Sequence, residues 1–444
     1  MGSFAKRLAA VVVVLLVIGW WYATRLPPSP FDGETTATEP APVEQTEYVA
    51  RLADCVACHS VPGGQPFAGG LEMGTPLGSI FSTNITPDKR HGIGNYTLAD
   101  FDRAVRRGVA PDGRRLYPAM PYPSYAKLSD DDVRALYDYF LNRVEPAEVE
   151  NRPPEIEWPL NMRWPLEFWN LAFYRSGAYE PDPQHDEAWN RGAYLVEGPG
   201  HCGSCHTPRG AAMQEKGMHS GDGDFLSGAL LDGWYAPPLR AAGGPGVGAW
   251  SEDDIVAFLK EGRNEHAVVF GSMADAFNNS TSFMTDADLA AIAHYLKSLP
   301  AVGNASWTYD DSTTQVLEGA GAKGDPAAQL YIQKCSHCHG IDGKGRGRYL
   351  PPLAGAASLI APEPDSAVNL VLNGALRVVA DGVPDSYRMP AYRVQLRDDQ
   401  IAEVLSFVRK AWGNNGAPVT AQKVGELRER TDPTSDRVIL LQMR

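Results

Sequence analysis

Cysteine is scarce, with only six in 444 residues. A disulfide framework is excluded, because the six form three local pairs that staple little chain and leave no thiol over. Positive charge is also short. Forty Lys and Arg stand against 54 Asp and Glu, and a formal net charge of −14 argues against nucleic acid as a partner. Long apolar runs are missing too, apart from one at the N-terminus: Leu8 to Thr24, 17 uncharged residues leaving through Trp20-Trp21-Tyr22 to Arg25.

What is present is a pattern used three times: Cys55-Val56-Ala57-Cys58-His59, Cys202 to His206, and Cys335 to His339. A lone Cys-x-x-Cys fits a redox dithiol or half a zinc site, but neither needs a histidine after the second cysteine three times over. Cys-x-x-Cys-His is the attachment pattern of haem c. Two thiols one helical turn apart add to the vinyl groups, and the next side chain reaches the iron. Three covalent haems c are expected, bound through Cys55, Cys58, Cys202, Cys205, Cys335 and Cys338, with His59, His206 and His339 as proximal iron ligands. No catalytic residue is assigned.

The chain divides around these motifs. Lys6 and Arg7 before the apolar run, and the aromatic residues that end it, predict an N-terminal membrane anchor in preference to a cleaved signal, with the remainder exported (1–25). A Pro- and acid-rich flexible tether (26–45) follows. The first haem domain (46–144) reads as a helix over Glu47 to His59, a second over Tyr96 to Val109, and a closing helix over Ser129 to Asn142 with Ser129 and Asp132 as a capping box. A connector (145–186) is dense in Trp158, Trp164, Phe168, Trp169, Phe173 and Tyr174, residues suited to packing between domains or to docking a partner or quinone. The second domain (187–300) repeats the layout, with Thr285 and Asp288 capping its last helix. After a linker (301–324), the third domain (325–412) ends on Ile401, Val404, Leu405 and Val408 at helical spacing. The tail (413–444) holds an amphipathic segment, Val419 to Arg430, read as a strap across the third domain or a second contact with membrane or partner. The fold class is therefore mainly α: three tandem class I cytochrome c-like domains after an N-terminal membrane segment.

The sixth iron ligand separates an electron carrier from an enzyme with an open iron. Each repeat offers a well-placed methionine between the motif and its closing helix: Met120 and Met389, each followed by proline, and Met273. A following proline holds the chain extended, which suits a loop presenting sulfur to iron. Met73, Met213, Met218 and Met284 are less well placed. His201 and His337, beside or inside motifs, point away from the iron, and His91, His185, His219, His266 and His294 read as surface or locally bonded residues.

With these residues assembled, the chain resembles the triple-haem cytochrome c subunits of membrane-bound bacterial dehydrogenases. The resemblance is carried by Ser82 to Asp88 with Gly92-Ile93-Gly94, Tyr117 to Tyr122, Gly200 to Arg209 and Trp234 to Leu239. It implies an electron-transfer subunit at the periplasmic side of the bacterial cytoplasmic membrane. Its partners there are a catalytic dehydrogenase of flavin, quinoprotein or molybdenum type acting on sugars, alcohols or aldehydes, and ubiquinone. In class I cytochromes c a proline carbonyl orients the proximal histidine. Pro351 or Pro352, and Pro237 or Pro238, fit that role here, whereas the first repeat has Asn84-Ile85-Thr86-Pro87, with its proline displaced. The alternatives are a terminal-oxidase cytochrome subunit and a self-contained multihaem oxidoreductase.

Overall fold

Helices begin where the sequence supplies side-chain caps. Thr97 and Asp100 form a reciprocal capping box at the start of the Leu98–Arg107 helix, which Gly108 ends at φ 62°. Ser251 and Asp254 do the same for Glu252–Glu261, which ends at Gly262 with φ 71°. The computed structural model describes residues 24–34, 42–75, 77–231, 233–240, 247–302, 307–375 and 387–432, with scattered positions between 4 and 21.

Ser129 caps Asp130–Asn142 and Thr285 caps Asp286–Ser298, each accepting from the backbone three residues on. The expected capping box is only half made. Asp132 instead accepts from the Tyr194 hydroxyl, and Asp288 accepts two 2.7 Å bonds from Arg191 and one of 2.6 Å from Tyr48. A carboxylate gains more from charge-assisted bonds between helices than from closing its own cap. Burial acts to raise the pKa of Asp288, but the bonds from Arg191 and Tyr48 outweigh it and hold the carboxyl below its ordinary value. A depressed pKa adds stability above the unfolded value and loses it as pH falls through the folded one. Asp288→Asn is therefore expected to flatten acid unfolding below about pH 4, followed by circular dichroism.

The buried apolar residues of the described chain form three main clusters. The first gathers Phe31, Val49, Leu98, Phe101, Val133, Leu136 and Phe140. The second is built from Trp189, Leu195, Ile292, Tyr295 and Leu296, with Leu52 contributed by the Val43–Leu52 helix. The third gathers Tyr331, Val368, Ile401, Val404, Leu405, Trp412 and Val424. In each, the helix before the motif packs on the closing helix: Val43–Leu52 on Asp130–Asn142, Glu187–Glu197 on Asp286–Ser298, and Pro326–Lys334 on Asp398–Val408. At Gly192 the middle crossing is so close that a Cβ would lie 2.0 Å from the Ala291 carbonyl oxygen. The opening helix of the first repeat stops at Leu52 rather than running to His59. Asp54, at φ 47°, breaks it before a separate Cys55–His59 helix.

Short strands, which periodicity did not signal, flank two motifs. Strands β1 (Glu72–Thr75) and β2 (Gly78–Phe81) form an antiparallel hairpin joined by β3 (Glu155–Ile156), and β4 (Ala229–Leu231) pairs with β5 (Trp234–Ala236). First and second repeats are locked together by Lys127 Nζ, 2.7 Å from Glu197 and 2.6 Å from the Met218 carbonyl. Second and third meet where the Tyr235 N–H donates to Ser366 Oγ at 2.8 Å and Asn369 Nδ2 to the Gly233 carbonyl at 3.3 Å.

The N-terminal membrane-spanning segment is not supported. Among the described residues no helix is long and apolar enough to cross a membrane. The apolar run has 17 residues, the short end of the range for a span, and only scattered positions of it are described. Residues 26–34, expected as the start of a flexible tether, lie against the first core. Phe31 is buried, Arg103 Nε donates to the Pro27 carbonyl at 2.8 Å, and Arg134 pairs with Glu34 at 2.6 Å.

The aromatic connector carries one helix, Leu166–Phe173. Trp169 Nε1 donates to the Ala212 carbonyl at 2.8 Å and Asn170 accepts from the Tyr122 hydroxyl at 2.6 Å, so one side packs between repeats. Trp158, Phe168 and Leu171 remain exposed. The tail helix Ala421–Arg430 buries Val424 and Leu427 in the third core, as a strap does.

Candidate haem-binding sites

The six thiols are paired along single short helices: Cys55–His59, Gly203–His206 after Cys202, and Ser336–His339 after Cys335. All six are free. Burial is the chief cause that pushes Cys55 and Cys202 up to about 12 and Cys335 up to about 11. These are neutral sulfurs in apolar surroundings, which suits thioether links.

Each motif histidine is fixed through one ring nitrogen. His59 Nδ1 lies 2.6 Å from the Thr83 carbonyl oxygen, His206 Nδ1 lies 2.7 Å from that of Pro237, and His339 Nδ1 lies 2.9 Å from that of Pro351. A carbonyl only accepts, so Nδ1 carries the proton and Nε2 keeps its lone pair. Burial lowers all three pKa values and the carbonyl bond acts against it, so each ring is a neutral imidazole, the form that binds a metal. Of the proline pairs expected to supply acceptors, the first member serves in both cases. In the first repeat the acceptor is Thr83, not a residue of Asn84 to Pro87.

The loop between histidine and acceptor is closed the same way three times. The His59 carbonyl accepts from Gly69 N–H at 2.8 Å, that of His206 from Gly228 at 2.8 Å, and that of His339 from Gly345 at 2.9 Å. Two residues before each glycine, Phe67, Leu226 and Gly343 receive a bond from Ile85, Leu239 and Leu353, each two residues after the acceptor. The three glycines have φ of 73°, 91° and 66°, and Phe67, Leu226 and Gly343 also have positive φ. A Cβ on Gly69 would meet the Thr83 carbonyl carbon at 2.4 Å, and one on Gly345 would meet that of Pro351 at 2.7 Å. The glycine is thus pressed against the peptide that holds the histidine.

These clasp residues escaped the sequence reading because the glycine stands at a different distance from the histidine in each repeat. The invariant signal is short: Phe67-Ala68-Gly69, Leu226-Ser227-Gly228 and Gly343-Lys344-Gly345, answered by Thr83-Asn84-Ile85, Pro237-Pro238-Leu239 and Pro351-Pro352-Leu353. The hairpins β1–β2 and β4–β5 carry the acceptor back to the motif in two repeats. In the third, a tight turn with Arg346 N–H on the Leu350 carbonyl at 2.8 Å does so.

The three candidate methionines are half-buried. Met120 packs on the same core as Cys55, and its carbonyl accepts from Tyr122 N–H at 2.8 Å. Met273 lies in the first turn of Ser272–Asn279, packed with Val269, Ala274 and Phe277. Met389 lies in extended chain, its carbonyl accepting from Ala375 N–H at 3.2 Å. Met284, by contrast, fills the second core. His185 stacks on Trp189 and His266 on Trp250, away from the motifs. The donor set of two thiols and an imidazole held by one nitrogen fits haem c in every repeat, and in the first the Met120 thioether packs on the same core as Cys55, whereas the helix that carries Met273 packs on the Cys55–His59 helix of the first repeat.

Comparison with known proteins agrees. The Cytochrome c family model matches residues 190–300 and 325–412, leaving the first motif outside. The cytochrome c subunit of alcohol dehydrogenase (quinone) from Gluconobacter oxydans (strain 621H) is 48% identical over 88% of this chain and 83% of its own length. The cytochrome c subunit of gluconate 2-dehydrogenase from Pantoea cypripedii is 48% identical over 87% and 89%. The fructose dehydrogenase cytochrome subunit of Gluconobacter japonicus is 35% identical over 94% and 88%. Three Cys-x-x-Cys-His helices in a mainly helical chain, and likeness along most of its length, lead to one conclusion: the chain belongs to the cytochrome c family, with the cytochrome c subunits of bacterial dehydrogenases.

Proposed function

We propose that the chain carries three covalent haem c groups and relays electrons from a catalytic dehydrogenase subunit to ubiquinone. It works at the periplasmic side of the cytoplasmic membrane. The cysteine pairs attach the groups, His59, His206 and His339 bind the irons, and Met120, Met273 and Met389 close the opposite sides. The observation that carries this reading is the clasp, which in all three repeats leaves Nε2 of a neutral, oriented imidazole free.

Haem iron, when bound, supplies a one-electron ferric/ferrous couple. The protein supplies orientation. Carbonyl acceptors fix the imidazole ring and raise its basicity, and a thioether opposite favours the ferrous state and raises the potential. Were the three methionines to bind opposite the histidines, no iron would be open for substrate chemistry, and oxidation of the alcohol, sugar acid or aldehyde would belong to the partner subunit. The names of the relatives support alcohols and sugar-type substrates.

Isolation of the native complex tests the proposal. A large dehydrogenase subunit is expected to co-purify. Its substrate is then expected to reduce the haems and added ubiquinone analogue to reoxidise them. A cytochrome isolated without any such subunit, and reduced by none of these substrates in membranes, would overturn it.

A further inference from the structure

We propose that Tyr125 and His201 form the contact through which the first and second haem-bearing segments exchange electrons, and that this contact sets the rate of exchange. The inference rests on the reading that both segments carry haem.

Tyr125 ends the short helix that follows Met120 and Pro121, and its ring is buried in the first core. Its hydroxyl donates to the Ala53 carbonyl at 2.6 Å, two residues before Cys55. On its other side the ring meets the imidazole of His201 edge to face, with centroids 5.5 Å apart and planes at 71°. His201 immediately precedes Cys202. It is held at φ 36°, a conformation costly for a residue with a Cβ, and its Nδ1 lies 2.8 Å from the Pro199 carbonyl. The route is therefore complete in named atoms. It runs from Cys55 through two peptides to the Ala53 oxygen, across one hydrogen bond to the phenol, across one ring contact to the imidazole, and through one peptide to Cys202.

Tunnelling through bonds and packed atoms decays far less steeply than through empty space, so a continuous bridge governs the coupling. Lys127 with Glu197, Tyr194 with Asp132 and Tyr48 with Asp288 join no residue adjoining the first motif to one adjoining the second, and the Ser272–Asn279 helix, which also packs on the Cys55–His59 helix, lies far along the chain from Cys202. In the exchange, one electron leaves a ferrous iron and the ferric iron of the other haem gains it. No proton moves and no bond changes. Burial holds the Tyr125 hydroxyl well above the ordinary phenol range and lowers the pKa of the His201 ring, so neither ring carries a charge.

The test uses the full haem-loaded chain without a dehydrogenase. A photoreductant injects one electron, its redistribution between haems is followed in time, and midpoint potentials are titrated separately. Tyr125→Leu and His201→Leu are each expected to slow redistribution by about tenfold or more, with potentials essentially unmoved and the double variant no slower than the slower single. Tyr125→Phe, which keeps the ring and removes the bond to Ala53, is expected to be slowed less. It decides the matter if the leucine variants fail to take up haem. Unchanged redistribution in Tyr125→Phe or in a haem-replete leucine variant would overturn the proposal. Failure of the underlying haem assignment would show instead as missing absorbance in the unaltered chain.

Discussion

Gly345→Val is expected to destabilise the third haem loop by about 3 kcal/mol and to leave much of the exported protein one haem short. Gly345 has φ 66°, where a β-branched residue is a genuine outlier. A Cβ there would lie 2.1 Å from the Leu350 carbonyl oxygen and 2.7 Å from the carbonyl carbon of Pro351. The clash falls on the peptide that orients His339 and on the N–H that closes the loop onto the His339 carbonyl. Gly347→Val separates strain from clash. Its φ is 56°, but the nearest atom to a Cβ is Glu265 Oε2 at 3.7 Å. Denaturant midpoints and the haem-to-protein absorbance ratio of the two variants give the comparison, and only Gly345→Val is expected to lose haem.

Met389→His is expected to lower the potential of one haem by on the order of 100 mV, within the roughly 0.8 V that axial ligands command. Imidazole donates more strongly than thioether and favours ferric iron. The Met389 segment is tied to the chain before it through Ala375 N–H on its carbonyl. A shorter side chain on that fixed backbone also brings a risk of a mixed spin state. The readout is a redox titration together with the weak near-infrared sulfur-to-iron band, which should fall by one third. Survival of the whole band would assign the third iron another ligand and weaken the parallel assignments of Met120 and Met273.

The haem motifs were legible because their chemistry demands a fixed local spacing, whereas the clasp was not, because its parts are separated by loops of unequal length. Pro237 and Pro351 were within reach from the class I pattern. Thr83 was hidden because its carbonyl does the work, so the side chain above it is free to differ. Helix starts at Thr97, Ser129, Ser251 and Thr285 follow from their caps. The further use of Asp132 and Asp288 depends on which helices meet, and no local signal carries that. His201 was read only as a residue pointing away from iron, since its packing on Tyr125 joins positions far apart in sequence. The apolar N-terminal run illustrates the opposite case: its composition resembles a membrane span, but no described helix there is long and apolar enough to cross one.

The central claim is that all three Cys-x-x-Cys-His helices hold haem. It is tested most directly by the intact mass of the denatured, alkylated holoprotein. Three covalent haem additions with no alkylated cysteine are expected; one or two additions, with alkylation at any of the six thiols in the mature protein, would contradict it.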